Sequence, residues 1–144
     1  WSVWPKKLYE YANKLCVNDH SCPSVISQHA GIEALKGPKE SINNIKKEFH
    51  KRKNFIYSKL NELNNINCFE PGGAFYAFPN VSKSGLNGQK FSDIALQEKG
   101  VALVPGTSFG DSAENFVRIS YANSMENLEK AIYRLSTIWK KLKL

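Results

Sequence analysis

The spacing of apolar residues changes near residue 64 of this chain, and that change constrains the fold more than any other feature. Over residues 39–63 the apolar side chains recur at three- and four-residue steps, which predicts one long helix with a lysine-rich opposite face. The stripe consists of Ile42, Ile45, Phe49, Ile56, Leu60 and Leu63. At the usual rise per residue such a helix is about 35 Å long, enough to connect two bodies.

Two shorter helices are predicted before the long one. Apolar residues at helical spacing favour a helix over 5–17, and Pro5 suits its first turn. The polar segment 18–23 is expected to break it. A second helix is predicted over 25–36, because the Gly37-Pro38 pair is a strong signal for a helix end.

Beyond residue 64 the pattern is that of short strands and helices. Strands are predicted at 66–69 and 74–78, and a continuous apolar run at 101–104 predicts a strand covered on both faces. A short helix should end near Gly100. A last helix should begin after Ser124, which can cap its first turn. Its apolar stripe would be Leu128, Ala131, Ile132, Leu135, Ile138, Trp139 and Leu142. The second half therefore reads as a small sheet covered by helices, an α+β arrangement.

The run 115–122 predicts a further strand, and it contains one of the chain's three arginines. Because strand side chains alternate, Phe116, Arg118 and Ser120 should share one face. The residues between them are apolar or aromatic and suit a core. An arginine beside a ring and a hydroxyl could hold a carboxylate or phosphate. From the pattern alone, a strand arginine is more often an exposed residue or half of a structural ion pair.

The net charge of +7 raises the question of a polyanionic partner. Most of the positive charge is lysine, and two clusters of basic residues stand out: Lys46, Lys47, Lys51, Arg52 and Lys53, and Lys140, Lys141 and Lys143. No aromatic residues are interleaved for stacking on bases, and no zinc-finger spacing occurs. We therefore interpret the first cluster as a solvated helix face and expect no nucleic-acid partner.

Three further features bear on the class of protein. The apolar runs are too short and interrupted for a membrane span, and the N-terminus does not resemble a signal peptide. Cys16, Cys22 and Cys68 are too few and too scattered for a disulfide framework, which favours a reducing, cytoplasmic location. His20 lies between two of them, but without a Cys-x-x-Cys pair we expect no metal. The chain starts at Trp1, and we expect it to be a piece of a longer protein.

Four segments, taken in order, resemble the C-terminal part of class I/II aminotransferases of fold type I. They are 21–28 (SCPSVISQ), 70–76 (EPGGAFY), 100–110 (GVALVPGTSFG) and 117–122 (VRISYA). The likeness is to the prokaryote-type aspartate aminotransferases, and it covers nearly the whole chain. It implies a mostly antiparallel small-domain sheet. Residues 1–37 would be the helical tail of the large cofactor-binding domain, and 38–144 the small domain with its connecting helix.

The resemblance also implies roles for individual residues. Arg118 would bind the α-carboxylate of an amino-acid substrate, for which a guanidinium fork is well suited. Phe75 would line the substrate pocket, with Tyr76 as the alternative, because only one of two neighbouring strand residues can face it. Core packing is the other interpretation of either ring. No other part of the chain provides a Ser/His/Asp or Cys/His constellation, a dinucleotide fingerprint or a P-loop.

The implied cofactor is pyridoxal 5'-phosphate, which the family holds through a lysine Schiff base. The resemblance puts that lysine upstream of Trp1, so we expect neither catalytic nor cofactor-binding residues in this chain and expect it to be inactive alone. Lys83 follows a serine, but it comes after the 70–76 motif and lacks the Gly-Trp-Arg that should follow, so we reject it.

The implied activity is transfer of an amino group from an amino acid, aspartate first, to a 2-oxo acid such as 2-oxoglutarate, in a homodimer. Other enzymes of the same fold type remain open, such as an aromatic or alanine aminotransferase, a β-lyase or an acyl-transferring relative. A basic polyanion-binding module is the alternative from a different class.

Overall fold

The computed structural model describes residues 2–142, and side chains up to residue 138. The chain divides into two compact units, Trp1–Ser41 and Ile42–Leu144. The first contains helices α1 (Lys6–His20) and α2 (Val25–Lys36), and α3 (Glu40–Asn61) begins in it. The second contains the rest of α3, a small sheet and two further helices.

Helix α1 is longer than predicted. The segment 18–23 was expected to break it, but the helix continues to His20. The helix accommodates Asn18 in its last turn, where the side-chain amide donates to the Lys14 carbonyl one turn earlier, at 2.7 Å. Ser21, with φ +60°, ends the helix. Helix α2 has the predicted bounds, and no residue of either helix is buried.

The long helix is confirmed as α3, which ends at Asn61, two residues before the predicted end. Ile56 and Leu60 of its predicted apolar stripe are buried. The side-chain amide of Asn61 forms two hydrogen bonds with the backbone of Cys68. It accepts from the Cys68 N–H and donates to the Cys68 carbonyl, both at 3.0 Å. The predicted strand at 66–69 is wrong, because the side chain of Asn61, and not a neighbouring strand, satisfies the backbone groups of Cys68. Only Asn67 pairs there, in an isolated bridge to Asn80.

The sheet has three strands, β1 (Tyr76–Ala77), β2 (Val104–Pro105) and β3 (Val117–Ser120), in the order β1-β3-β2. Both neighbours of β3 run antiparallel to it. With helices α4 (Gly88–Lys99) and α5 (Met125–Leu142) this confirms the α+β prediction of a small antiparallel sheet with helices.

The strand predicted at 101–104 is largely wrong. Only Val104 of that run belongs to β2. Val101 is buried, but its N–H donates to the Ala95 carbonyl at 2.9 Å. Its backbone therefore caps the C-terminal end of α4 and does not pair with a strand. Ala102 is exposed, so the run is not covered on both faces.

The core lies between one face of the sheet and the three longer helices of the second unit. Its members are Ile56, Leu60, Ile66, Cys68, Ala77, Val81, Phe91, Ala95, Val101, Val117, Ile119, Tyr121, Leu128, Ile132, Leu135 and Ile138. Val117, Ile119 and Tyr121 are buried as the alternation predicted. Ser124 caps α5, accepting from the Asn127 N–H at 3.2 Å. The side chains of Trp139, Lys140, Lys141 and Leu142, and all of Trp1 and Lys143, lie outside the described residues.

Candidate functional site

The face of the sheet opposite the core carries Arg118. In the β1–β3 register Tyr76 lies opposite Ser120, and in the β2–β3 register Val104 lies opposite Arg118. Directly opposite residues of antiparallel strands share a face. These four side chains therefore project from the same side of the sheet, which we call the Arg118 face.

The guanidinium of Arg118 lies against two aromatic rings. Its Cζ is 4.3 Å from the ring centroid of Tyr76 and 4.6 Å from that of Phe109, and the side chain is half-buried. Both separations are within the range in which a cation is attracted to a π face. We call the pair Tyr76 and Phe109 the aromatic clamp.

Arg118 differs from the other two arginines in that its guanidinium N–H donors have no partner among the described side chains and backbone groups. Arg52 is bonded to Glu48 at 2.9 Å, and Arg134 donates to the Lys99 carbonyl at 3.4 Å. Among residues whose side chains the structure describes, Arg118 has neither an ion pair nor a hydrogen-bond acceptor. A guanidinium has five N–H donors in one plane, so this fork can receive a carboxylate or phosphate.

Phe109, which the sequence analysis missed, comes from a 3₁₀ turn, Gly106–Phe109, directly after β2. Gly106 anchors the turn by donating its N–H to the Phe116 carbonyl at 2.7 Å. A Cβ at Gly106 would lie 2.0 Å from the Ala113 carbonyl oxygen, so only glycine fits there. The sequence does carry one signal for Phe109: it lies in the tight glycine-bearing loop that connects β2 to β3, the strand that carries Arg118.

Phe78 and Phe116 continue the aromatic surface beyond the clamp. Phe78 meets Phe109 edge-on, with centroids 5.9 Å apart, and stacks on Phe116 at 5.1 Å. Edge-to-face and offset-stacked contacts of this kind are favourable ring geometries. Through the Phe78 ring they connect Phe109 to Phe116, the residue before β3.

Phe75 and Tyr76, the two candidate pocket residues, have different surroundings. Tyr76 contacts Arg118, whereas Phe75 is 39% exposed and packs beside Phe49 on α3, with centroids 6.0 Å apart. The two neighbouring rings are also in mutual contact, at 4.5 Å. The alternative candidate is thus the one brought to Arg118, and a pocket role for either ring stays a prediction.

The backbone before Tyr76 is held in an unusual conformation. Ala74 has φ +56°, a left-handed conformation that costs a non-glycine residue about 1–3 kcal/mol. The buried Tyr121 donates its hydroxyl to the Ala74 carbonyl at 3.1 Å, and its N–H to the Phe75 carbonyl at 2.9 Å. Two bonds from one residue therefore fix the path of the chain into β1.

Charges near this turn are balanced. Glu70 bonds to Lys53 at 2.6 Å. That hydrogen bond and the charge of Lys53, with a smaller contribution from His50, lower the pKa of Glu70. Burial raises the pKa of the Tyr121 phenol, against a small opposing effect of Lys53. Two cations of the first basic cluster, Arg52 and Lys53, are thus neutralised by carboxylates.

A cavity of about 500 Å³ lies beside α5, but Arg118 does not line it. Its cationic lining residues have partners: Lys130 bonds to Glu126 at 2.6 Å, and Arg134 to the Lys99 carbonyl. Among the described residues, a cation with open donors lies on the Arg118 face and not in the cavity, so the candidate anion site is on that face.

The described part of the chain holds no group of three or more His, Cys, Asp or Glu side chains arranged for a metal ion. Cys16 and Cys22 are exposed and Cys68 is buried. No helix there has the length and apolar character needed to cross a bilayer.

The family model for "Aminotransferase class I and II" matches residues 6–135. The chain belongs to the class I and II aminotransferases. It is 42% identical over 127 residues to an aspartate aminotransferase of Bacillus subtilis, covering 84% of this chain and 32% of that protein. It is 33% identical over 142 residues to aromatic-amino-acid aminotransferase 2 of Thermococcus litoralis, covering 97% and 36%.

Solved structures of the family share the fold. The aromatic aminotransferase from Pyrococcus horikoshii superposes with a TM-score of 0.88 at 36% identity, covering 96% of this chain and 38% of that one. The chain thus spans about a third of the length of the aminotransferases it matches.

Proposed function

We propose that this chain is the substrate-carboxylate-binding part of a pyridoxal-phosphate-dependent aminotransferase. The observation that carries the proposal is Arg118, a half-buried guanidinium held against two rings with its donors open. A structural arginine would use those donors on the protein, as Arg52 does on Glu48. Arg118 offers them outward, and a carboxylate accepts two of them in parallel.

The α-carboxylate is the substrate group that we assign to Arg118. Relatives are named for aspartate, aromatic amino acids and N-acetyl-LL-diaminopimelate. These compounds differ in the side chain but share the amino-acid head group, so an anchor common to the family should bind the head group. Aspartate and 2-oxoglutarate are our first choice of substrates, and aromatic or alanine transamination and β-lyase chemistry are the alternatives.

The described residues do not by themselves fit a pyridoxal phosphate site. Lys83 lies exposed in a 3₁₀ turn, Ser82–Ser84, and the half-buried Lys53 is paired with Glu70. When bound, the cofactor supplies the electron sink for amino transfer. We propose that its lysine belongs to the two-thirds of the protein that the relatives have in addition, and that the 144-residue chain alone is inactive.

The contribution of this chain would be to bind and orient. Arg118 fixes one end of the substrate, which restricts its rotation, and the sheet carrying Arg118 would close over it and exclude water. We further propose that residues 1–37 belong to the large domain and 38–144 to the small domain of a cytoplasmic homodimer. The absence of buried residues in α1 and α2 supports a larger assembly around them.

The test is Arg118→Lys in the full-length protein. A lysine keeps the charge but loses the fork, so KM for aspartate should rise more than tenfold, equivalent to more than about 1.4 kcal/mol. Arg134→Lys is the matched control, because Arg134 bonds only a backbone carbonyl at the surface. Unchanged KM and kcat in Arg118→Lys would remove this residue from the site.

Two further measurements test the remaining proposals. The 144-residue chain, mixed with pyridoxal phosphate and aspartate, should give no sustained turnover in the cofactor absorbance. A basic binding module would instead bind generic DNA with a steep salt dependence. We expect no such binding, because Arg52 and Lys53 are already paired with carboxylates.

A further inference from the structure

The two rings of the aromatic clamp contact Arg118 and leave its N–H donors available for a ligand. Guanidinium N–H groups point outward in the plane of the group, whereas attraction to an aromatic ring face uses the charge of the group and not an N–H donor. Tyr76 and Phe109 can therefore restrain the plane without consuming a donor. An acidic partner would hold the side chain equally well but would compete with a substrate carboxylate.

The position of Phe109 is set independently of Arg118. Its turn is anchored by Gly106, whose N–H bonds the Phe116 carbonyl, and closed by the Gly110 N–H bonding the Thr107 carbonyl at 3.3 Å. Phe78 supports the ring from its edge. A ring that the backbone and a neighbouring ring already hold in place can restrict a flexible side chain.

We propose that Phe109 is a positioning residue for Arg118, which holds the guanidinium against Tyr76 in the orientation that receives a carboxylate. The inference rests on the proposed function of Arg118 and adds to it a residue outside the strand that carries the arginine. An unrestrained arginine side chain has many rotamers and must lose that freedom on binding. With the clamp, much of the restriction precedes substrate binding, so affinity is gained without direct contact between Phe109 and substrate.

The consequence is a specific kinetic pattern. Removing the ring face of Phe109 should weaken carboxylate binding in the ground state and the transition state alike. KM should then rise while kcat stays nearly constant. Loss of stability alone would lower the amount of active enzyme and would not change KM.

The experiment uses the full-length protein with Phe109→Leu, which keeps an apolar side chain and removes the ring. We expect KM for aspartate to rise about 3- to 10-fold with kcat within about twofold, the range of one cation–π contact. Phe109→Tyr keeps the ring and should restore KM to within about twofold. Phe69→Leu is the control, because Phe69 is an aromatic residue 74% exposed and is not one of the two rings that contact Arg118.

Phe109 is 49% exposed, so its truncation should leave the fold intact, and Phe109→Met serves as a second ring-free variant. An unchanged KM in the ring-free variants, with a raised KM in Arg118→Lys, would overturn the positioning role and leave the proposed function standing. Equal defects in Phe109→Tyr and Phe109→Leu would also overturn it. If Arg118→Lys has no effect, the proposed function fails and the positioning role fails with it.

Discussion

The Cζ of Arg118 lies 4.3 Å from the ring centroid of Tyr76, because both side chains project from the same face of the antiparallel pair β1–β3. The register pairs Tyr76 with Ser120, which puts Arg118 on the adjacent diagonal. A shift of one residue would send the Tyr76 ring into the core and bring Phe75 to the arginine. Strand register therefore selects which aromatic ring meets the cation.

That relationship predicts different consequences for the two neighbouring rings. Tyr76→Leu removes one face of the aromatic clamp and should raise KM for the amino-acid substrate about 3- to 10-fold. Tyr76→Phe keeps the ring and should change KM by less than about twofold. Phe75→Leu loses contacts mainly with Phe49 and Tyr76 and should have the smaller effect on KM. A larger effect for Phe75→Leu than for Tyr76→Leu would contradict this assignment.

The bond from Tyr121 to Ala74 should contribute measurably to stability. In Tyr121→Phe the ring still fills the core, but the Ala74 carbonyl loses its donor. We expect the free energy of unfolding to fall by about 1 kcal/mol, measured by urea denaturation. Tyr133→Phe is the matched control, because Tyr133 is an exposed tyrosine and should change stability little. Equal stability of the two variants would show that the bond to Ala74 is not a net contributor.

Gly106 is predicted to tolerate no side chain. In Gly106→Ala the new Cβ would lie 2.0 Å from the Ala113 carbonyl oxygen and 2.8 Å from that of Phe116. Both are backbone atoms, so the turn carrying Phe109 must move, at a cost of about 1–3 kcal/mol or more. Gly72→Ala is the control, since nothing lies within 4 Å of its added Cβ. Thermal denaturation should show a lower midpoint for Gly106→Ala only.

Ser92 on α4 is a buried serine whose Oγ has no hydrogen-bond partner among the described residues. A buried hydroxyl without a partner loses its hydration and gains nothing in return. Ser92→Ala removes that cost and has the better helix propensity, so the free energy of unfolding should rise by about 0.5–1 kcal/mol. Ser27→Ala, at an exposed position of α2, separates helix propensity from burial. A destabilised Ser92→Ala would mean that the hydroxyl is satisfied.

Alkaline pH should destabilise the second unit through two buried groups. Burial raises the pKa of the Cys68 thiol above its ordinary 9.0 and that of the Tyr121 phenol above 10.0. As the pH rises past those ordinary values, the unfolded chain loses protons that the folded chain keeps. Folding stability must then fall with pH.

Urea denaturation between pH 8 and pH 10.5 tests this expectation. Cys68→Ala should make the loss of stability less steep, because one of the two groups is gone. Cys16→Ala is the control, since Cys16 is exposed. An identical pH dependence in both variants would exclude Cys68 as a contributor.

The sequence by itself determined which segments are helices and which face of β3 enters the core. The bounds of α2, the extent of α3 and the burial of Val117, Ile119 and Tyr121 follow from the 3.6- and two-residue periods of the backbone. These periods are local properties, so they can be recognised without knowledge of the fold. Arg118 was singled out for the same reason, as a cation on the non-core face of an apolar strand.

Only the tertiary structure decided what surrounds those segments. The segment at 66–69 is not a strand, because the side chain of Asn61, at the end of α3, satisfies the backbone of Cys68. Tyr76 meets Arg118 because of strand register, and Phe109 meets it because a turn without room for a Cβ bends back over β3. Contacts of this kind depend on where separate segments come together in space, and apolar periodicity carries no information about that.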